Sequence, residues 1–172
     1  MIALDTNVVL RLVMRDDVAQ SAAAEALIRR ARAEGARLFI ADVVLCELVW
    51  VLRAAYRRSR ADIAETLDTL AAVAQAEFEA PERLTAALAA FRAGRGDFAD
   101  YLIREHGHRG GADFVATFDQ QLLGEDGFVH PDPGGWGAGT TLHEDAPGYG
   151  RRGRRREPPR RAVSAGTAPS RP

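Results

Sequence analysis

Met1-Ile2-Ala3-Leu4-Asp5-Thr6-Asn7 opens the chain with four apolar residues that run straight into an acid. An apolar run with no charge and no period of its own predicts a strand buried on both faces. An aspartate where such a strand ends sits at the carboxyl edge of a sheet, where α/β proteins place their ligands. The pattern returns late in the chain, where Phe114-Val115-Ala116-Thr117-Phe118 delivers Asp119. Between the two lie two more acids in unexpected company. Glu47 interrupts the apolar stretch Val43 to Leu52, and Asp100 belongs to a helix that begins Asp97-Phe98-Ala99-Asp100.

Working outward, Val8 to Val13 is apolar enough for a short helix on the sheet, and Asp16 and Asp17 can cap the next one, whose stripe includes Ala23, Ala26, Leu27 and Ala31. Gly35 ends it, and Arg37-Leu38-Phe39-Ile40 reads as a second strand. Asp42 is the expected N-cap of a helix from Val43 to about Arg58, apolar nearly all round and so deeply packed, with Trp50 in the core. Ser59 and Asp62 have capping-box spacing ahead of a helix through Ile63, Leu67, Leu70 and Ala71. Residues 75–79 suggest a third strand. Pro81 suits the first turn of a helix with Leu84, Ala87, Leu88 and Phe91 on one face and Gly94 past its end. The helix from Asp97 should turn Phe98, Leu102 and Ile103 inward and be broken by Gly107, Gly110 and Gly111. Asp113 to Phe118 and Gly127 to His130 complete the strands. Strands alternating with helices argue for a parallel, helix-covered sheet.

From Pro131 onward the character changes. Seven Pro and eight Gly fall among 42 residues and apolar clusters vanish, so residues 131–172 read as a disordered Gly/Pro/Arg-rich tail behind a domain spanning 1–130. The tail holds a basic run, Arg151 to Arg161, that could grip phosphates; a solvated tail with no selected role accounts for it equally well. Charge is uneven. Residues 1–130 carry 15 Arg against 20 acids, residues 131–172 carry 8 Arg against 4, and the chain nets −1.

Every one of the 23 basic residues is arginine. Haloacid-dehalogenase-type phosphatases and receiver domains also gather strand-end acids around Mg²⁺, but they depend on a lysine, which this chain lacks. A Walker-type phosphate loop is absent too. The single cysteine, Cys46, excludes an intrachain disulfide and a thiolate metal site, and its apolar neighbours suit a small filler. Histidines 106, 108, 130 and 143 lack ligand spacing and read as surface residues. No apolar run is long enough for a signal peptide or a membrane span, so a soluble cytoplasmic protein is expected.

Carboxylates at strand ends and on flanking helices are what a hard cation wants: Mg²⁺ takes oxygen ligands and binds through a few acids together with substrate phosphate. Glu47 finds no proton donor or charge partner among its helical neighbours, so it needs a cation, a hydrogen-bond donor or exposure at a cleft. Leu4-Asp5-Thr6-Asn7-Val8, Val44-Leu45-Cys46-Glu47-Leu48-Val49, Gly96 to Ile103 and Thr117-Phe118-Asp119 together resemble the four acidic motifs of PIN-domain ribonucleases, and within them the VapC toxins of bacterial toxin–antitoxin pairs.

That resemblance implies a three-layer α/β sandwich with a central, mostly parallel four- or five-stranded sheet covered by helices on both faces. It implies a Mg²⁺-dependent endoribonuclease, with Mn²⁺ as a substitute, that is homodimeric and silenced by a small VapB-type antitoxin. Asp5, Glu47, Asp100 and Asp119 become the catalytic metal-site acids, and Thr6 and Thr117 the residues that orient them. Asp97 shares a helix face with Asp100 and is kept as auxiliary, since Asp100 precedes Leu102-Ile103 as the family motif requires.

Taken singly, each acid has a plainer account: Asp5 and Asp97 as helix caps, Asp119 as a turn residue, Asp100 as helix surface, Glu47 as an arginine's partner. A rival function arises from these, a non-catalytic acidic module that captures an arginine-bearing partner segment.

Overall fold

The computed structural model describes residues 1–132. Eleven elements succeed one another: β1 (Ile2–Ala3), α1 (Thr6–Met14), α2 (Val18–Ala33), β2 (Leu38–Ile40), α3 (Asp42–Ala54), α4 (Arg60–Ala71), β3 (Ala76–Phe78), α5 (Pro81–Ala93), α6 (Phe98–Gly110), β4 (Val115–Ala116) and β5 (Phe128–Val129). The strands are parallel but form two sheets, β1-β2-β3 and β4-β5, rather than the single sheet of four or five expected. Ile2 pairs with Leu38 and Leu38 with Ala76; Val115 pairs with Phe128. β1 therefore lies on an edge, and Ile2 and Ala3 are exposed instead of buried on both faces. Only Leu4 of the opening run enters the core.

Local chemistry sets most helix ends where the sequence places them. The Asp17 carboxylate accepts from the Gln20 N–H at 2.9 Å, and Ser59 and Asp62 form the reciprocal capping box. Pro81 stands in the first turn of α5 and Gly94 caps its end. Elsewhere tertiary packing overrides propensity. α6 continues through Gly107 to Gly110 and stops at Gly111, whose φ of 89° suits a residue without Cβ. The stripe of α2 is Ser21, Ala24 and Ala31, with Ala23 and Ala26 exposed.

α3 departs most from expectation. Leu45, Leu48, Val49 and Leu52 are buried at helical spacing, but Val43, Glu47 and Trp50 form the opposite, exposed stripe. Trp50 is 67% exposed, not in the core. On α6, Ile103 is also exposed, while Phe98, Tyr101 and Leu102 are buried. The core joins these to Val9, Leu38, Ile40, Ile63, Leu67, Phe91 and Leu122, each large side chain contributing roughly 1.5–3 kcal/mol.

α3 packs on α1, α4 and α6, and α5 on α4, α6 and β3. Leu4, Leu38, Ile40 and Ala76 share a cavity of about 870 Å³ with residues of α1, α2 and α4, which puts those helices on one face of the first sheet. No helix among the described residues is long and apolar enough to cross a membrane. The segment read as a tail lies outside the described residues apart from Pro131 and Asp132.

The N-cap of α3 is Ala41, so Asp42 is free for another task. Asp42 is buried, and its Oδ2 accepts from Arg83 Nε at 2.5 Å. Arg83, buried too, also reaches Glu79, while Asp42 Oδ1 is buried with no partner among the described residues. Removing one member of such a pair strands the other charge. Arg83→Met should therefore cost about 3–5 kcal/mol in urea unfolding, and the double substitution with Asp42→Leu much less.

Candidate functional site

Asp5 follows β1 after the single residue Leu4 and is the N-cap of α1, though its side chain makes no capping bond. Its exposed carboxylate receives only a long contact, 3.4 Å, from Asn7 Nδ2. Thr6, in the first turn of α1, is buried, and its hydroxyl donates to Glu47 Oε2 at 2.7 Å. That bond ties α1 to α3 and answers the question posed by an acid in an apolar helix. Glu47 is exposed at the surface of α3 and held by a neutral hydroxyl, not by an arginine.

Asp97 is the N-cap of α6, and its own N–H donates to Asp100 Oδ2 at 2.7 Å. Arg53, projecting from α3, makes an ion pair with the Asp97 carboxylate. Asp100 is half-buried. Asp119 lies just beyond β4, where its N–H donates to Thr117 Oγ1 at 3.0 Å and its Oδ1 accepts from the Gln121 N–H at 2.8 Å. Thr117 thus shapes the turn that presents Asp119, and Thr6 grips Glu47 rather than Asp5.

The acids assemble as two groups, Asp5 with Glu47 through Thr6, and Asp97 with Asp100 and Asp119. α3 and α6 connect them. Asp42 at the start of α3 lies 3.8 Å from His106 late in α6, and Arg53 late in α3 meets Asp97 at the start of α6. The helices therefore run antiparallel, which sets Glu47 beside the middle of α6 and Trp50 about level with Asp100. Among the described residues, no three His, Cys, Asp or Glu side chains already stand around one point as ligands would.

Arginines pair with Asp16, Glu25, Glu34, Asp42, Asp68, Glu77, Glu79, Glu82, Asp97, Glu105 and Glu125. Among the described residues no arginine ion pair reaches Asp5, Glu47, Asp100 or Asp119, nor Asp17, Asp62, Glu65, Asp113 or Asp126. Burial first, then the charges of Asp119 and Glu125, push the Asp100 carboxyl above the ordinary carboxylate range. Carboxylate oxygens are the donors a hard divalent cation takes, and Asp100 and Asp119 are near enough for the charge of one to disfavour that of the other.

Sequence reading did not reach Arg53, nor Tyr101 and Glu125 as a pair. The Tyr101 hydroxyl donates to Glu125 Oε2 at 2.6 Å. Burial opposes the Glu125 charge, but that bond, the Arg95 N–H, and the charges of Arg95 and Arg104 bring its carboxyl below its usual range. No local pattern links positions 24 residues apart.

The family model described as PIN domain matches residues 2–124 of the chain. No curated protein gives a match.

Because the folded state raises the Asp100 carboxyl, ionising it costs stability. That cost sets in as pH rises through the unfolded-state value, about 3.9, and is complete above the folded one. Asp100→Asn keeps an acceptor for the Asp97 N–H and removes the charge. In EDTA at pH 7 its Tm should exceed the parent's, the gap closing as the pH falls below the carboxylate range. Adding Mg²⁺ should raise the parent's Tm more than the variant's.

Proposed function

Since the chain belongs to the PIN-domain family, we infer that it is a Mg²⁺-dependent endoribonuclease, the toxin of a toxin–antitoxin pair that acts on cytoplasmic RNA. Members of this family are generally metal-dependent nuclease modules, and RNA is the substrate class that the family implies. The observation that carries the finer reading is that Glu47, Asp100 and Asp119, at three of the motif positions, are each held by a neutral donor with no arginine pair among the described residues, and Asp100 is already pushed above its normal ionisation range.

Asp5, Glu47, Asp100 and Asp119 would hold the ion, with Asp97 in reserve. The Arg53 pair already satisfies Asp97, which favours Asp100 as the closer ligand. When bound, Mg²⁺, or Mn²⁺ in its place, supplies charge stabilisation at a phosphodiester and a water of lowered pKa. The chain's own contribution is orientation. Thr6 takes Oε2 of Glu47, the Asp97 N–H takes Oδ2 of Asp100, and the Gln121 N–H takes Oδ1 of Asp119. Each of these three carboxylates thus has one oxygen fixed by a neutral donor, which stops rotation without cancelling charge, and turns the second oxygen in a set direction.

Two further parts of the reading concern partners. Val43, Trp50 and Ile103 expose apolar surface on the paired helices α3 and α6, a face that a second copy would cover in a homodimer. A small VapB-type antitoxin needs a separate seat. The 870 Å³ cleft between α2 and α4 has a floor of Leu12, Val13, Ile28 and Leu70 and a rim of Arg15, Arg29, Glu25 and Glu65, which suits an amphipathic segment.

Purified protein should cleave RNA with Mg²⁺ and stop in excess EDTA. Asp5→Asn and Asp100→Asn should each lower the rate by at least about 100-fold, the upper end of what losing even an outer hydrogen-bond partner costs. Full cleavage in EDTA would reject the reading. Glu47→Gln separates nuclease from binding module: the nuclease loses cleavage and keeps its protein partner, and the module does the reverse.

A further inference from the structure

The segment Gly94–Gly96 joins α5 to α6 and delivers the chain to Asp97. It contains two glycines, yet its Arg95–Gly96 peptide is held through both its carbonyl and its N–H. Arg60, the first residue of α4, donates to the carbonyls of Phe91, Arg95 (3.0 Å) and Gly96 (2.8 Å), and its guanidinium stacks 4.2 Å from the Phe91 ring. The Gly96 N–H donates to the Tyr101 hydroxyl at 3.0 Å, and the Arg95 N–H to Glu125 Oε1 at 2.7 Å. Tyr101 in turn donates to Glu125 Oε2, which closes the network. A Cβ on Gly94 would overlap the Tyr101 hydroxyl, and one on Gly96 would overlap Leu122, so the segment is pressed against this network with no slack.

Directly beyond Gly96 the chain enters the acid-bearing first turn of α6. A rotation of the Gly96 peptide would swing Asp97 and Asp100 together, because the Asp97 N–H is the donor that pins Asp100. From this we propose that Arg60, Tyr101 and Glu125 are positioning residues of the nuclease site: they set the direction in which α6 leaves Gly96, and with it the placement of Asp100 against Asp119 and Glu47. The inference rests on the nuclease reading for its consequence, but not for its geometry. Small displacements of a catalytic group weigh heavily; about 1 Å of misplacement can cost on the order of 100-fold in rate.

Arg60 also serves the C-terminal carbonyls of α5, where any cation is favourable. The experiment must tell that role from positioning. Arg60→Lys keeps a cation there but loses the planar fork that spans three carbonyls. Tyr101→Phe removes only a hydroxyl. Glu125→Ala removes both acceptors, and Glu125→Gln returns one, an amide oxygen for either the Arg95 N–H or the Tyr101 hydroxyl. RNA cleavage at saturating Mg²⁺ is measured beside hydrogen exchange of the α6 N-terminal amides in EDTA, with Ala31→Gly in α2, which packs on α1, as a destabilised control away from the network.

Arg60→Lys, Tyr101→Phe and Glu125→Ala should each lower kcat by roughly 10–100-fold, as loss of an outer hydrogen-bond partner does, with KM nearly unchanged. Exchange at Asp97 to Tyr101 should quicken in the same three. Glu125→Gln should recover part of both losses, and Ala31→Gly should lower Tm while leaving kcat intact. Unchanged kcat and exchange in Arg60→Lys and Tyr101→Phe would overturn the proposal. So would a fall in kcat that merely tracks Tm across all variants, Ala31→Gly included. A parent that cleaves no RNA would instead sink the nuclease reading, and the exchange data would still decide whether the network holds α6.

Discussion

The antiparallel contact between α3 and α6 is the constraint on which this molecule depends. One helix carries Glu47 and the other Asp100, and neither acid stands at the end of a strand. Their separation is set by how the two helices lie together. The pair meets at both ends, with Asp42 3.8 Å from His106 at one and Arg53 paired with Asp97 at the other, while Arg83 ties Asp42 to α5. Between these ends, Leu45, Leu48, Leu52, Phe98, Tyr101 and Leu102 fill the interior, so the helices cannot slide without opening voids. Asp5 and Asp119 follow strands of the two different sheets.

The site is arranged against stability. Most acids near an arginine in this chain are neutralised, whereas Asp5, Glu47, Asp100 and Asp119 are given hydroxyl and amide donors that orient them and leave the charge in place. Asp100 bears the cost in its raised carboxyl. A protein selected only for folding would have set an arginine there, as it did at Asp97. Strain of this kind concentrates where function needs it.

How much of this the sequence disclosed depended on the range of the interaction involved. Ends governed by neighbours, such as the Asp17 cap, the Ser59–Asp62 box and the Pro81 start, could be read directly, because donor and acceptor lie within a turn. The elements themselves were equally legible, down to the short strands at 76–78 and 128–129. Facing was harder. An apolar helix such as α3 offers several stripes of similar strength, so Trp50 reads as core, and alanines in α2 mark no face at all. The division into two sheets and the edge position of β1 depend on pairing partners far away in the chain. The candidate acids stood out because each broke a local pattern. Arg53, Arg60, Tyr101 and Glu125 broke none; an arginine in a chain with 23 of them carries no signal until its partners are in space beside it.

Trp50 gives this architecture a built-in optical reporter. Its indole stands in water one helical turn from Glu47, at the height of Asp100, on the face that joins the two acid-bearing helices. Indole emission is sensitive to hydration, so once the second tryptophan, Trp136, is replaced, anything that covers or reorganises this face changes the colour of the protein's own light. The region where chemistry is expected can then be watched without attaching a dye to any of the carboxylates.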